Sequence, residues 1–259
     1  MKSIPLKCPC HPDQELIKVN NNYVCSLNEC EHNKEENAFP SLNNVPILIS
    51  ENGTDTVCTM SGSVTYVNRP STRLDFLKKI LVGESKVTKI NCEQFIKEVY
   101  KINANPKILV IGGGEKGSAT ENLYNAENIE IHSVDIYLSD FIDVVCDAHY
   151  LPLENDFYDG VWIQAVLEHV VEPSVVVDEI HRVLKIDGIV YAETPFMQQV
   201  HEGAYDFTRF TVLGHRYLFK KFDLINMGGN QGPEVVFALS VRYLAWALLR
   251  SRIIAKFIG

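Results

Sequence analysis

The chain has 259 residues, 46% of them apolar and 22% charged, a balance that suits one soluble domain with a small appendage and excludes low-complexity or repeat architectures. The net charge of −9 is uneven: residues 201–259 hold eight Lys/Arg against four Asp/Glu and are the only basic part, too small a face for a protein whose main task is gripping a phosphate backbone. No basic stretch leading into an apolar run opens the sequence, so the expected compartment is the cytoplasm.

Residues 1–50 are rich in Cys, Asn and Pro, and ELIKV, NYVCS and VPILI read as short strands. Their apolar content is too low for an independent core, so the segment needs a staple. Four of the seven cysteines lie here, as LKCPCHPDQEL and YVCSLNEC. Clustered thiols in a chain without a secretion signal point to metal before disulfides. Cys8, Cys10, Cys25 and Cys30 form two knuckles suited to tetrahedral zinc, with His11 able to replace Cys10 and His32 able to compete with Cys30. The following FPSLNNVPILI resembles the end of the zinc-ribbon module fused to or partnering various methyltransferases. A related ribbon helps one group of ribosomal RNA methyltransferases bind RNA. Here the block carries four Lys against six Asp/Glu, which disfavours nucleic acid.

Residues 51–105 read as a helical connector or lid. RLDFLKKIL and NCEQFIKEVYKI have helical spacing, the latter with Asn91 and Gln94 placed as a capping box. From residue 106 strand and helix patterns alternate, which predicts an α/β fold, a doubly wound parallel sheet covered on both faces. The expected strands are KILVIG, IEIHSVDI, FIDVVCD, DGVWIQA, GIVYAETP and FDLINMG. In PSVVVDEIHRVLK, Pro173 suits the first helical position and Val176, Ile180, Val183 and Leu184 make one apolar stripe, with His181 on the surface.

ILVIGGGEKGSAT ends the first of these strands in GxGxxG, formed by Gly112, Gly114 and Gly117, the fingerprint usually read as a dinucleotide site. Asp135, in HSVDIY, closes the next strand where an acid can accept from ribose hydroxyls. Both features suit any adenosine cofactor. The elements that discriminate come later, in CDAHYLPLENDFYDGVWIQAVLEHV and HRVLKIDGIVYAETPF. In order and spacing, residues 106 to about 228 resemble the class I S-adenosylmethionine-dependent methyltransferases. The resemblance implies a Rossmann-like methyltransferase sheet over 106–233. Gly112, Gly113 and Gly114 would pass under the methionine part of the cofactor, and Asp135 would hold the ribose with Ile136 against the adenine. Asp147 would accept from the adenine amine, Ala148 would meet the ring edge, and Gln164 would face the reacting end. Most relatives read GxGxG, so Gly117 is the least secure contact. Glu168 and His169 read equally well as a polar helix start and as ligand contacts.

Sulfonium methyl transfer is an in-line displacement that depends mainly on positioning, with a base needed for a hydroxyl or protonated amine. ETPFMQQVHEGAYDFTRFT concentrates ionisable groups just after the fifth strand and resembles a segment of methyltransferases found with bacterial surface polysaccharide genes. The catalytic candidates are His201 as base, Asp206 orienting it, and Tyr205 or Arg209 gripping a small-molecule or glycan acceptor. Alternatively, Asp206 and Arg209 form an ion pair that holds the loop shut. Methylation at oxygen or nitrogen is the leading expectation; RNA methylation and a non-catalytic cofactor-binding scaffold are the others.

Residues 234–259 read as an amphipathic helix with Arg242, Arg250, Arg252 and Lys256 on one side. Its uncharged runs are too short to span a bilayer. A helix packed on the domain or on a homodimer partner, with a basic outer face, is the leading expectation; a peripheral contact with an anionic membrane is the other.

Overall fold

The computed structural model describes residues 4–49, 86–117, 120–199 and 205–250. Its main sheet has seven strands. Two come from the amino-terminal segment, β4 (Ser41–Leu42) and β5 (Val45–Leu48), which follow a separate small sheet of β1 (Lys7–Cys8), β2 (His11–Val19) and β3 (Asn22–Cys25). The others are β6 (Lys107–Ile111), β7 (Glu130–Asp135), β8 (Val144–Cys146), β9 (Tyr158–Gln164) and β10 (Leu184–Glu193). The helices are α1 (Lys86–Ile102), α2 (Glu121–Tyr124), α3 (Pro173–Val183), α4 (Val212–Leu218) and α5 (Pro233–Leu249).

The strand order β10-β9-β6-β7-β8-β5-β4 is parallel throughout except at β4. The chain moves outward from β6 through β7 to β8, then returns to β9 on the other side of β6. The crevice beyond the carboxyl ends of β6 and β9 is therefore the switch point at which such sheets bind ligands.

Strand alternation sends neighbouring side chains of β6 to opposite faces. Ile108 and Val110 join Cys92, Phe95 and Val99 of α1 and Trp162 of β9. Leu109 and Ile111 join Val176, Val177, Ile180 and Val183 of α3. Helices thus cover both faces, as the continuous apolar strands require. Pro173 occupies the first turn of α3 and His181 is exposed, as expected, whereas Leu184 begins β10.

The amino-terminal segment is joined to this core. Ile47 and Leu48 pair in parallel with Val145 and Cys146, Lys7 N–H donates to Pro152 O at 2.9 Å, and Leu6 bridges Leu153. Phe39, Cys8, Cys25 and Cys30 are buried in the same cluster as Leu109 and Ile111.

Three local expectations differ from the structure. Asn91 and Gln94 do not cap a helix, because α1 is already continuous from Lys86; Asn91 instead donates to the Tyr191 hydroxyl at 3.3 Å. FDLINMG forms no strand, leaving β10 at the sheet edge. Side chains hold the stretch in place of backbone pairing: Asn226 donates to Gln94 at 3.1 Å, and Asn230 to Glu193. The last helix ends at Leu249, with Arg250 in a left-handed conformation (φ 48°), so Arg250 lies outside the expected helical stripe. Arg252, Lys256 and RLDFLKKIL lie outside the described residues.

Candidate active site

The glycine turn follows directly from β6. Gly112 has φ +76°, and a Cβ there would stand 2.2 Å from Val166 Cγ2. A Cβ on Gly114 would stand 2.7 Å from Asp135 Oδ2, which accepts the Gly114 N–H at 2.9 Å. Gly112 and Gly113 donate to Val134 O at 2.9 and 3.2 Å. The turn is therefore bare backbone clamped to the end of β7. Asp135 Oδ1 accepts from Ile136 N–H at 2.7 Å, which fixes the carboxylate at the strand's carboxyl end. Gly117 makes no comparable demand, because among the described residues its added Cβ would meet Thr120 Oγ1 at an ordinary 3.6 Å.

Asp147 and Ala148 are buried just beyond β8. Asp147 Oδ1 accepts from His149 N–H at 2.9 Å and faces His149 Nδ1 at 2.6 Å, while His149 Nε2 accepts the Glu172 N–H at 3.1 Å. The last bond makes Nε2 the acceptor, so Nδ1 carries the proton toward Asp147. His149 occupies an unspecified position of the sequence motif, and only its neighbour Asp147 could have drawn attention to it.

Gln164 ends β9 and donates to Glu193 Oε1 at 3.2 Å. Glu193 also receives Asn230 Nδ2 on Oε1, and the Tyr191 and Thr88 hydroxyls on Oε2. One carboxylate thereby ties β9, β10, α1 and the stretch before α5 together at the sheet's carboxyl edge. Single-residue patterns gave no sign of this network.

The turn Leu167–His169 packs between the glycine turn, through Val166, and residues 205–209. Glu168 O accepts from Phe207 N–H at 2.8 Å and Thr208 N–H at 3.2 Å, and His169 Nδ1 bonds Tyr205 O. The Glu168 carboxyl is fully buried, and among the described residues no other residue hydrogen-bonds to either oxygen. Burial pushes its pKa up to about 7.

Of the acceptor-side candidates, Asp206 and Arg209 form a two-pronged ion pair with Asp206 buried. Arg209 also donates to Gln198 O at 2.9 Å and Thr208 O at 2.9 Å, so the guanidinium closes the loop on itself. Tyr205 is brought beside His169, and His201 lies outside the described residues.

In the small sheet, Cys8, His11, Cys25 and Cys30 bring their ligand atoms within 4.8 Å of one another, whereas Cys10 groups with Glu31 and His32. Cys8 Sγ and Cys30 Sγ are 3.9 Å apart. A hydrogen bond with Cys10 and burial hold the Cys8 thiol well above its ordinary pKa, and burial raises Cys30.

The glycine turn, an acid at each of the next two strand ends and the switch-point crevice coincide with a match of residues 79–192 to the methyltransferase domain family. The chain carries a class I S-adenosylmethionine-dependent methyltransferase domain. No curated protein sequence matches the methyltransferase. Among solved structures it is similar to the complex between the Haloferax volcanii Trm112 methyltransferase activator and a candidate methyltransferase, with 21% identity and TM-score 0.39 over 58% of this chain and 76% of that one. It is also similar to Haemonchus contortus phosphoethanolamine N-methyltransferase 2 in complex with S-adenosylmethionine, with 17% identity and TM-score 0.38 over 50% and 36% of the respective chains. Among the described residues, no helix of the methyltransferase is long and apolar enough to cross a membrane.

Proposed function

We propose that the enzyme transfers a methyl group from S-adenosylmethionine to an oxygen or nitrogen of a small-molecule or glycan acceptor. The observation that carries the reading is the bare glycine turn locked to Asp135 beside the switch point. A side chain at Gly112 or Gly114 would collide with Val166 or the Asp135 carboxylate and push the turn away from the end of β7. Gly112, Gly113 and Gly114 would lie under the methionine moiety, with Asp135 at the ribose and Ile136, Asp147 and Ala148 around the adenine. Gln164, oriented by Glu193, would face the reacting end.

The cofactor supplies an electrophilic methyl group on a sulfonium. The chain's part is positioning, which can account for roughly 7–11 kcal/mol of such a barrier. Arg209, seated by Asp206, fixes the wall formed by residues 205–209. His201 is the proposed base and Tyr205 a proposed acceptor contact.

The cysteine cluster fits zinc. Zn–S bonds of about 2.3 Å in a tetrahedron put sulfurs roughly 3.8 Å apart, and Cys8 and Cys30 stand at 3.9 Å. His11 Nδ1 is buried without a hydrogen-bond partner, so the proposed set is Cys8, His11, Cys25 and Cys30, with Cys10 beside it. Helix α5 exposes Phe237, Leu244 and Leu248 and is the proposed contact with a second copy, peripheral membrane contact being the alternative.

The acceptor class is tested by incubating the enzyme and methyl-labelled cofactor with separated small-molecule, glycan and RNA fractions of a cell extract. Label in the first two supports the proposal; label in RNA alone contradicts it.

A further inference from the structure

Glu168 is used by none of the roles assigned so far, and its surroundings are unusual for a carboxyl group. It is fully buried, and among the described residues no other residue hydrogen-bonds to either oxygen. Burying an ionised carboxylate without compensation is costly enough that such a group normally takes up a proton. Among the described residues, the charged groups around it are His169, Arg209, Asp206 and Glu193. On its own turn, His169 Nε2 stands 3.6 Å from Oε1, but the same ring is bonded through Nδ1 to Tyr205 O. From the facing loop come Arg209, already paired with Asp206, and Asp206 itself; from the end of β10 comes Glu193. Two carboxylates thus face one guanidinium that is already engaged. The proton affinity of Glu168 is balanced near pH 7, where a single added charge decides its state.

The turn that carries Glu168 is also the one that touches the glycine loop, through Val166 against Gly112. Resting on the methyltransferase reading, the geometry points to Glu168 as the internal counter-ion of the cofactor's sulfonium, ionised when S-adenosylmethionine is bound and holding a proton more readily when S-adenosylhomocysteine is bound. A sulfonium has charge but no N–H, so it compensates a carboxylate through the field alone and needs no vacant hydrogen-bond geometry. An opposite unit charge within about 4–6 Å of a carboxyl favours its ionised form by roughly ten- to a thousandfold.

The balance of the reaction then closes inside the site. The S–CH3 bond breaks with its electron pair kept by sulfur, and the bond from carbon to the acceptor oxygen or nitrogen forms. The acceptor's proton, relayed by the base proposed at His201, ends on the Glu168 carboxylate. The pair of opposite charges present before transfer becomes a neutral thioether and a neutral carboxyl, so no net charge is left buried at any stage.

Titration calorimetry of the full chain in buffers of different ionisation enthalpy counts the protons exchanged on binding. S-adenosylmethionine is expected to release more protons than S-adenosylhomocysteine near pH 7, and the difference should shrink as pH rises above the folded pKa. The wild-type difference is a test in itself. Glu168→Gln should abolish it and weaken S-adenosylmethionine roughly tenfold or more at pH 8 while leaving S-adenosylhomocysteine within about twofold. Equal proton counts for the two ligands in the wild type overturn the inference while leaving the methyltransferase reading intact. Failure of either ligand to bind overturns both.

Discussion

Gly112 and Gly117 lie in one loop and carry opposite predictions. Gly112→Ala forces a side chain into a left-handed backbone and against Val166, so it should cost about 1–3 kcal/mol and abolish measurable cofactor binding. Gly117→Ala should stay within about 0.5 kcal/mol of wild type by thermal melting and keep its affinity. Glu168 governs stability as well as ligand charge. Its pKa is about 7 in the folded chain against an ordinary 4.5, so folding favours the protonated form. The contribution is full below the ordinary value, shrinks as pH rises, and is gone above about 7, a swing of about 3 kcal/mol. Glu168→Gln should therefore flatten the fall in melting temperature between pH 5 and 8; an unchanged slope would show that Glu168 is not its source. The glycines and acids at the strand ends were legible in sequence because the chemistry and the backbone demand coincide there. Glu168 was readable only as an ambiguous polar residue, since burial and missing partners have no local signature.

Secondary structure was read best where periodicity was strong. Val176, Ile180 and Val183 of the expected α3 stripe are buried in the core as expected, because the apolar repeat and the buried face are one fact, while Leu184 passes to β10. The reading failed at FDLINMG, whose apolar run lacks a neighbour to pair with, and at the supposed capping box, which lies inside α1. Helix α1 instead joins the network around Glu193 through Thr88 and, by way of Tyr191, Asn91; Asn226 of FDLINMG bonds Gln94, and Asn230 just beyond it bonds Glu193. Such bonds join residues far apart in sequence, and no local pattern encodes them. Asn230→Ala removes donors to Glu193 and should loosen the stretch before α5. The expected result is faster limited proteolysis within 219–232, with global stability lowered by about 1 kcal/mol. Cleavage at the wild-type rate would mean that Asn230 does not hold the segment.

At the scale of the whole molecule, the amino-terminal segment is continuous with the catalytic sheet. β5 covers the edge of β8, and Phe39 and three of the cysteines share a core with the central strand. Sequence showed the metal-type cysteines but not this junction, because VPILI is an equally good strand wherever it pairs. Cooperativity is the consequence. If zinc holds the cluster, chelation should lower the melting temperature of the entire domain in one transition, and Cys25→Ser should do the same whereas Cys10→Ser retains about one zinc per chain. Two separate transitions, with the catalytic unit unaffected, would show that the segment is only an appendage.

The central claim, that the glycine turn and Asp135 cradle S-adenosylmethionine and not a dinucleotide, is most directly tested by calorimetric titration with S-adenosylhomocysteine and, separately, NADH. The account predicts saturable binding of S-adenosylhomocysteine at one site per chain, lost in Gly112→Ala, and no binding of NADH. Binding of NADH with none of S-adenosylhomocysteine would contradict it.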